Sequence, residues 1–136
     1  QAHLHGIDRR RDVAVLHVNE VFPTIALSVG DPPIGSHVCA LVNAFGLGIS
    51  FTCGVVSATG RSNVGFNEIE DFVQTDAAVN PGASGGALVR PGGQLVGMVD
   101  GIFTKEADID GGVNFAVSVP MIEQSLEAMR ADGVRF

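Results

Sequence analysis

The segment "QTDAAVNPGASGGALV" at residues 74–89 contains a serine in a setting that could support chemistry. Ser84 lies among Gly82, Gly85 and Gly86, between two apolar runs. Glycine accepts positive φ and allows close backbone approach, so a tight turn here could point several N–H groups into one concavity. Such a concavity would stabilise a developing oxyanion beside the serine hydroxyl. The spacing alone favours an ordinary turn, because glycine and serine are common turn residues.

The elements that must hold this turn are mostly strands. Short β-rich runs alternate with turns, a pattern typical of a β-barrel or a β-sandwich. One helix is predicted at residues 118–132, because apolar residues recur there at near-helical spacing and Gly133 can end it. The predicted strands are residues 2–7, 12–18, 37–45, 51–60, 71–79, 86–89, 95–103 and 112–119.

Composition narrows the class of protein. The 136 residues fit one domain, and 46% hydrophobic with 17% charged residues indicates a globular chain with a core. The net charge of −7 argues against a nucleic-acid partner, since phosphate binding needs clustered Lys and Arg. No apolar run approaches the ~20 residues of a membrane span. The chain opens with Gln1 and shows no signal segment, which predicts a processed or excised piece.

The two cysteines, Cys39 and Cys53, fall on neighbouring predicted strands. Two cysteines are too few for a disulfide framework. They could form one cross-strand disulfide, but two buried free thiols are the preferred prediction. No metal and no cofactor is predicted.

The longer segment "VQTDAAVNPGASGGALV" strongly resembles the nucleophile segment of the HtrA/DegP-type, chymotrypsin-fold serine proteases. Further segments match in the same order: "DVAVLHV" is similar to the segment of the triad aspartate, and "NAFGLGISFTCGVVSATGR" to a family hairpin. "GQLVGMVDGIF" and "GGVNFAVSVPMI" resemble the strands that line the specificity pocket. The resemblance covers nearly the whole chain. It implies an all-β fold, in which residues 1–26 end the first barrel and residues 27–136 form the six-stranded second barrel with its C-terminal helix.

The same resemblance implies the roles of three residues. Ser84 would be the nucleophile, Asp12 the triad carboxylate, and the backbone N–H groups of Gly82 and Ser84 the oxyanion hole. The chemistry is consistent, because a serine hydroxyl needs an imidazole to take its proton and a carboxylate to orient that imidazole. Without the resemblance, Asp12 would be interpreted as a turn or capping carboxylate.

The general base is the missing part of this set. Only eleven residues precede Asp12, and no histidine occupies a position that matches the base of the family. The four histidines of the chain are predicted to be exposed, or to be buried by coincidence. The isolated chain is therefore expected to have little or no peptidase activity, whereas its parent is expected to be an active serine endopeptidase. The alternative is a pseudoprotease or protein-binding module, and an esterase is a weaker third interpretation. The histidines are His3, His5, His17 and His37.

The resemblance also implies a substrate pocket and partners. Ala78 falls at the base of the primary pocket, where a carboxylate would select Arg or Lys, and Val79, Phe103 and Val113 fall at its walls. A small or medium aliphatic residue is therefore expected before the cleaved bond, although these residues could also be barrel core. The expected partners are polypeptides, including misfolded proteins, and further copies of the parent. A periplasmic or secreted location, and a role in protein quality control, are expected on the same grounds.

Overall fold

The computed structural model describes residues 1–43, 46–80, 82–102 and 111–136. Eight strands and one helix follow one another along this part of the chain, which confirms the all-β class with a C-terminal helix. The bounds are β1 Ala2–Asp8, β2 Val13–Val18, β3 His37–Val42, β4 Ser50–Arg61, β5 Phe72–Thr75, β6 Ala87–Val89, β7 Leu95–Ile102, β8 Asn114–Ser118 and α1 Val119–Ala131.

Six of the strands close into one barrel. Strands β3 to β8 pair in the order β3-β4-β5-β8-β7-β6, and β6 pairs with β3 to complete the ring. The strands β1 and β2 form a separate antiparallel pair. The predicted six-stranded barrel with a remnant sheet before it is therefore confirmed, and the boundary between residues 26 and 27 stays a prediction.

The barrel interior follows from alternation along the strands. On β3, Val38, Ala40 and Val42 point inward and are at most 2% exposed, because side chains two residues apart lie on one face. Small aliphatic residues from the other strands complete this core. Six strands enclose a narrow interior, and Val and Ala fill it without a channel.

A second cluster lies between the barrel, the helix and the first sheet. Phe72 and Phe115 stack at 5.4 Å between ring centroids, and Met121 and Met129 of α1 join the same cluster. Val13 of β2 is part of it as well and is 4% exposed. This packing joins the first sheet to the barrel, and it places the residue before Val13 next to the barrel surface.

Helix α1 begins and ends as its sequence predicts. Ser118 is the N-cap, and its Oγ accepts a hydrogen bond from the N–H of Met121. Pro120 lies in the first turn, where its missing N–H costs nothing. The N–H of Gly133 donates to the carbonyl of Arg130 at 3.0 Å as the helix ends. Among the described residues, no helix is long and apolar enough to cross a membrane.

The cysteine prediction is wrong. Cys39 and Cys53 form a disulfide, and neither is a free thiol. The reason is the register of β3 and β4, which places these two residues directly opposite each other. The position of two cysteines on neighbouring strands was visible in the sequence, but the register that aligns them was not.

Candidate active site

Ser84 lies in the turn between β5 and β6, and backbone hydrogen bonds fasten this turn to β7. The N–H of Gly85 donates to the carbonyl of Val99, and the N–H of Val99 donates to the carbonyl of Gly86, both at 2.8 Å. A Cβ at Gly86 would lie 2.6 Å from the carbonyl oxygen of Leu41, so only glycine fits against β3. The turn is thus held from two sides of the barrel.

The hydroxyl of Ser84 and the backbone of Gly82 lie at the protein surface and not in the barrel core. Ser84 is exposed, while Ala83 before it is buried. Gly82 has φ +93°, a conformation that L side chains rarely adopt. Within the described part of the chain, neither the N–H of Gly82 nor the N–H of Ser84 donates a hydrogen bond. Two backbone donors therefore remain available next to an accessible hydroxyl.

Asp12 closes the turn between β1 and β2. Its φ is +59°, a left-handed conformation that Asp adopts more readily than most side chains. The turn before it is organised by Asp8, whose carboxylate accepts hydrogen bonds from the guanidinium of Arg11 at 3.0 Å and from Oγ of Ser125 at 2.8 Å. Burial would raise the pKa of Asp8, but the hydrogen bonds from Ser125 and Arg11 outweigh it and lower the pKa. Helix α1 thereby anchors the turn that carries Asp12.

This anchor predicts an effect on stability. Replacing Asp8 by Ala should lower the free energy of unfolding by about 3 kcal/mol, because the largely buried Arg11 loses its partner. Urea unfolding near neutral pH measures this loss. A carboxylate whose pKa is lower in the folded than in the unfolded state stabilises the fold at pH values above its unfolded-state pKa. It loses that effect as the pH falls through its folded-state pKa. The difference between wild type and Asp8→Ala should therefore shrink below pH 3.8.

Arg10→Ala is the matched control. The neighbouring Arg10 pairs with Glu68 at 3.1 Å, but both side chains are more than half exposed. Its loss should cost under about 0.5 kcal/mol. Equal losses for the Asp8 and Arg10 variants would contradict an anchoring role for Asp8.

The loop at residues 62–71 packs near this turn and is organised by one carboxylate. Glu70 accepts four backbone hydrogen bonds, at distances from 2.7 to 3.3 Å. Burial would raise the pKa of Glu70, but these donors outweigh it and lower the pKa. The donors are the N–H groups of Val64, Gly65, Phe66 and Asn67. The loop is thereby held in a conformation from which the Asn67 side chain reaches β7.

Asp100 is the site residue that the sequence prediction omitted. Its Oδ2 accepts a hydrogen bond from Nδ2 of Asn67 at 2.7 Å, and Asp100 lines the same cavity as Asp12. Its carbonyl oxygen accepts the hydroxyl of Ser84 at 2.9 Å. Burial and then the contact with Asp12 raise the pKa of Asp100 to about 7. The signal in the sequence was a single carboxylate within the otherwise apolar run "LVGMVDGIF".

Asp12, Ser84 and Asp100 line one cavity of about 380 Å³. This volume is many times the share of roughly 30 Å³ that one water takes in the liquid, so by volume alone the cavity is large enough for an imidazole ring. The cavity opens to solvent, because Asp12 and Ser84 are both exposed, and its remaining walls are mostly apolar. They are Ala14, Leu16, Gly85, Met98, Val99 and Val117.

None of the four histidines contributes to this cavity. All of them lie in the described part of the chain, and all are exposed. Those of β1 and β2 are on the first sheet, where the rings of His5 and His17 are 6.1 Å apart. His37 lies at the start of β3, with Nε2 3.8 Å from Sγ of Cys39. The described chain thus places a hydroxyl and two carboxyl groups together, without an imidazole between them.

Comparison with known proteins identifies the family of the chain. Residues 1–98 match the family described as trypsin-like peptidase domain. The chain belongs to this family. This trypsin-like peptidase chain is 40% identical over 135 residues to a probable periplasmic serine endoprotease, DegP-like, of Ectopseudomonas mendocina. It is 36% identical over 131 residues to the periplasmic serine endoprotease DegP of Escherichia coli.

Solved structures show the same fold. The HtrA-type protease AlgW with a tripeptide superimposes with a TM-score of 0.84 at 41% identity, covering 96% of this chain and 42% of that one. A serine endoprotease from Yersinia pestis gives a TM-score of 0.80 at 36% identity, and the match covers 98% of this chain and 45% of that one. The matches to the two curated relatives span 98% and 94% of this chain but only 28% and 27% of the relatives' own length. The trypsin-like peptidase chain thus corresponds to about a quarter of each relative.

Three of the four residues predicted to form the substrate pocket, Ala78, Val79 and Val113, do not line the Ser84 cavity of this trypsin-like peptidase chain. Ala78 is exposed, and its carbonyl oxygen accepts a hydrogen bond from Oγ1 of Thr52 at 2.7 Å. Val79 is 3% exposed and lies in the barrel core, as the alternative interpretation expects. Val113 is half-buried and packs against the second cluster, and Phe103 lies outside the described residues. The pocket assignment stays a prediction.

Proposed function

We propose that the whole protein is a serine endopeptidase in which Ser84 is the nucleophile and Asp12 the carboxylate that orients the base. The observation that carries this proposal is the shared cavity: both side chains line it, and it has room for an imidazole ring. The family match and the names of the relatives supply the reaction class.

The chemistry of the site would run as an acyl transfer. The Oγ of Ser84 attacks the carbonyl carbon of the peptide bond while its proton passes to an imidazole. The N–H groups of Gly82 and Ser84 donate to the oxyanion of the tetrahedral intermediate. The imidazolium returns the proton to the leaving amine, and water then hydrolyses the acyl ester by the same route. The Asp12 carboxylate accepts from the other ring nitrogen and stabilises the imidazolium.

The base would come from outside this chain. Its four histidines are exposed and away from the cavity, so the isolated chain is expected to be inactive. The whole protein would supply a histidine from the part of the first barrel that these 136 residues do not include. Its substrates would be polypeptides, with misfolded proteins as one class and further copies of the protein as partners. The names of the relatives favour a periplasmic location.

The primary pocket would accept a small or medium aliphatic side chain. Ala78 supplies no carboxylate at its base, so a basic side chain would be buried there without a partner, which costs several kcal/mol. Val79, Phe103 and Val113 would contribute apolar walls. A peptide library digested by the whole protein reports this preference directly, and cleavage mainly after Arg or Lys would reject the pocket.

Casein cleavage tests the function itself. The whole protein should cleave casein at several sites, and the 136-residue chain at the same molar concentration should leave it intact. Circular dichroism of the chain, with β signal and a cooperative unfolding transition, is the control that it is folded. Cleavage by the folded chain would show that the base lies within it, and no cleavage by the whole protein would contradict the proposed function.

A further inference from the structure

One further residue contacts Ser84 and lines the cavity that Ser84 shares with Asp12. Asp100 follows Val99, whose backbone holds the Ser84 turn. Its carbonyl oxygen accepts a hydrogen bond from the hydroxyl of Ser84 at 2.9 Å, and Asp100 lines the cavity that Asp12 also lines. All three residues line the same cavity. Asp100 is therefore part of the site by contact, although the roles proposed above do not use it.

A hydrogen bond between two carboxyl groups requires a proton. Ionised carboxylates only accept hydrogen bonds, and two of them in contact repel each other, so one stays neutral over a wide pH range. Asp100 is the member that burial and Asp12 favour in the neutral form, which raises its pKa to about 7. Asp100 is therefore the carboxyl group that holds a proton at pH values below about 7.

We propose that Asp100 is a positioning residue for Asp12: as a neutral acid it donates a hydrogen bond to the Asp12 carboxylate and fixes its orientation in the Ser84 cavity. The inference rests on the proposed function, because a fixed orientation matters only if Asp12 must hold an imidazole. Loss of the proton would replace the donor by a second anion and push the Asp12 carboxylate away. Activity should then fall as the pH rises.

The groups around Asp100 set the direction of two further changes. Asp12 faces it from the turn before β2, and Asn67 and Glu70 face it from the loop at residues 62–71. The amide of Asn67 donates to Oδ2 and favours the ionised form, whereas the negative charges of Asp12 and Glu70 favour the neutral form. Removing Asn67 should therefore raise the pKa of Asp100, and removing the charge of Asp12 should lower it.

Carboxyl titration of the 136-residue chain tests the pair without any assay of activity. The ¹³C carboxyl resonance of Asp100 should titrate at about 7, at a lower pH in Asp12→Asn, and at a higher pH in Asn67→Ala. Asp100→Asn assigns the resonance by its disappearance. An Asp100 midpoint near 3.8, the ordinary value, or no response to either substitution would overturn the proposal, even if the whole protein is an active protease.

The pH profile of the whole protein tests the positioning role. The kcat/KM of the wild type should fall about tenfold as the pH rises through the Asp100 midpoint, and Asp100→Asn, which keeps a neutral donor, should lack this fall. Asp100→Ala should lower kcat about tenfold below that midpoint with KM unchanged, as expected for a lost interaction that acts in the transition state. The same fall in Asp100→Asn, or its inactivity at every pH, would overturn the proposal. Failure of the proposed function would give a different result, because the wild-type protein would then cleave no substrate at any pH.

Discussion

Replacing Ser84 by Ala is expected to lower the kcat of the whole protein by a factor on the order of 10⁶. The substitution removes the oxygen that forms the acyl ester, so no residue remains to carry the covalent step. The backbone donors and the apolar cavity would persist, which leaves a slow reaction above the rate in water. The expected change is thus in kcat, with KM for a peptide substrate little altered, and steady-state kinetics on a fluorogenic peptide measures both.

Ser62→Ala is the matched control for this variant. Ser62 is an exposed serine in the loop after β4 and does not line the Ser84 cavity. Its replacement should leave kcat within about twofold, since a surface substitution of this kind changes little. Retention of more than a few per cent of the activity by Ser84→Ala would contradict its assignment as nucleophile.

Replacing Asp12 by Asn is expected to lower kcat by a factor of about 10⁴. An amide in this place would present an N–H to the imidazole and favour the wrong tautomer, in which the nitrogen near Ser84 carries the proton. The fold should be unaffected, because Asn adopts the left-handed φ of +59° at least as readily as Asp. The loss should therefore appear in kcat and not in the urea midpoint.

Asp132→Asn separates the orienting role from a general effect of lost negative charge. Asp132 is the exposed C-cap of α1, and its amide variant should keep full activity. A tenfold or smaller loss for Asp12→Asn, or an equal loss for both variants, would show that Asp12 does not orient the base. In that outcome Asp12 would be the turn residue that its position after three arginines also allows.

Most of the fold could be predicted from local patterns. Alternating small aliphatic residues, as in "HVCALV", mark strands with one face in a core, and Gly or Pro turns separate them. Helix α1 could be predicted from Ser118, Pro120 and Gly133, because these residue types are typical of helix ends. Barrel closure could not be derived in the same way, because pairing of β3 with β6 joins segments about 50 residues apart. The resemblance to a known family supplied it.

The site was predictable in part for a similar reason. Ser84 and its glycines form one local segment, so the sequence can single them out as a candidate site. The disulfide depended on strand register, and the placement of Asp12 and Asp100 in one cavity depended on tertiary packing. Neither is a property of a local pattern. Asn67 was hidden in a polar loop, whose order comes from four hydrogen bonds to one carboxylate. A lone Asp within an apolar strand was the clue that could have directed attention to Asp100.

Labelling by a fluorophosphonate measures whether the hydroxyl of Ser84 is activated. The reagent forms a stable ester only with a serine whose proton is taken by a base, and digestion with mass spectrometry locates the adduct. The whole protein should carry one label on the peptide that contains Ser84, and the isolated chain and Asp12→Asn should react far more slowly. A label on another serine, or a protein that cleaves casein while Ser84 stays unmodified, would show that the nucleophile lies elsewhere.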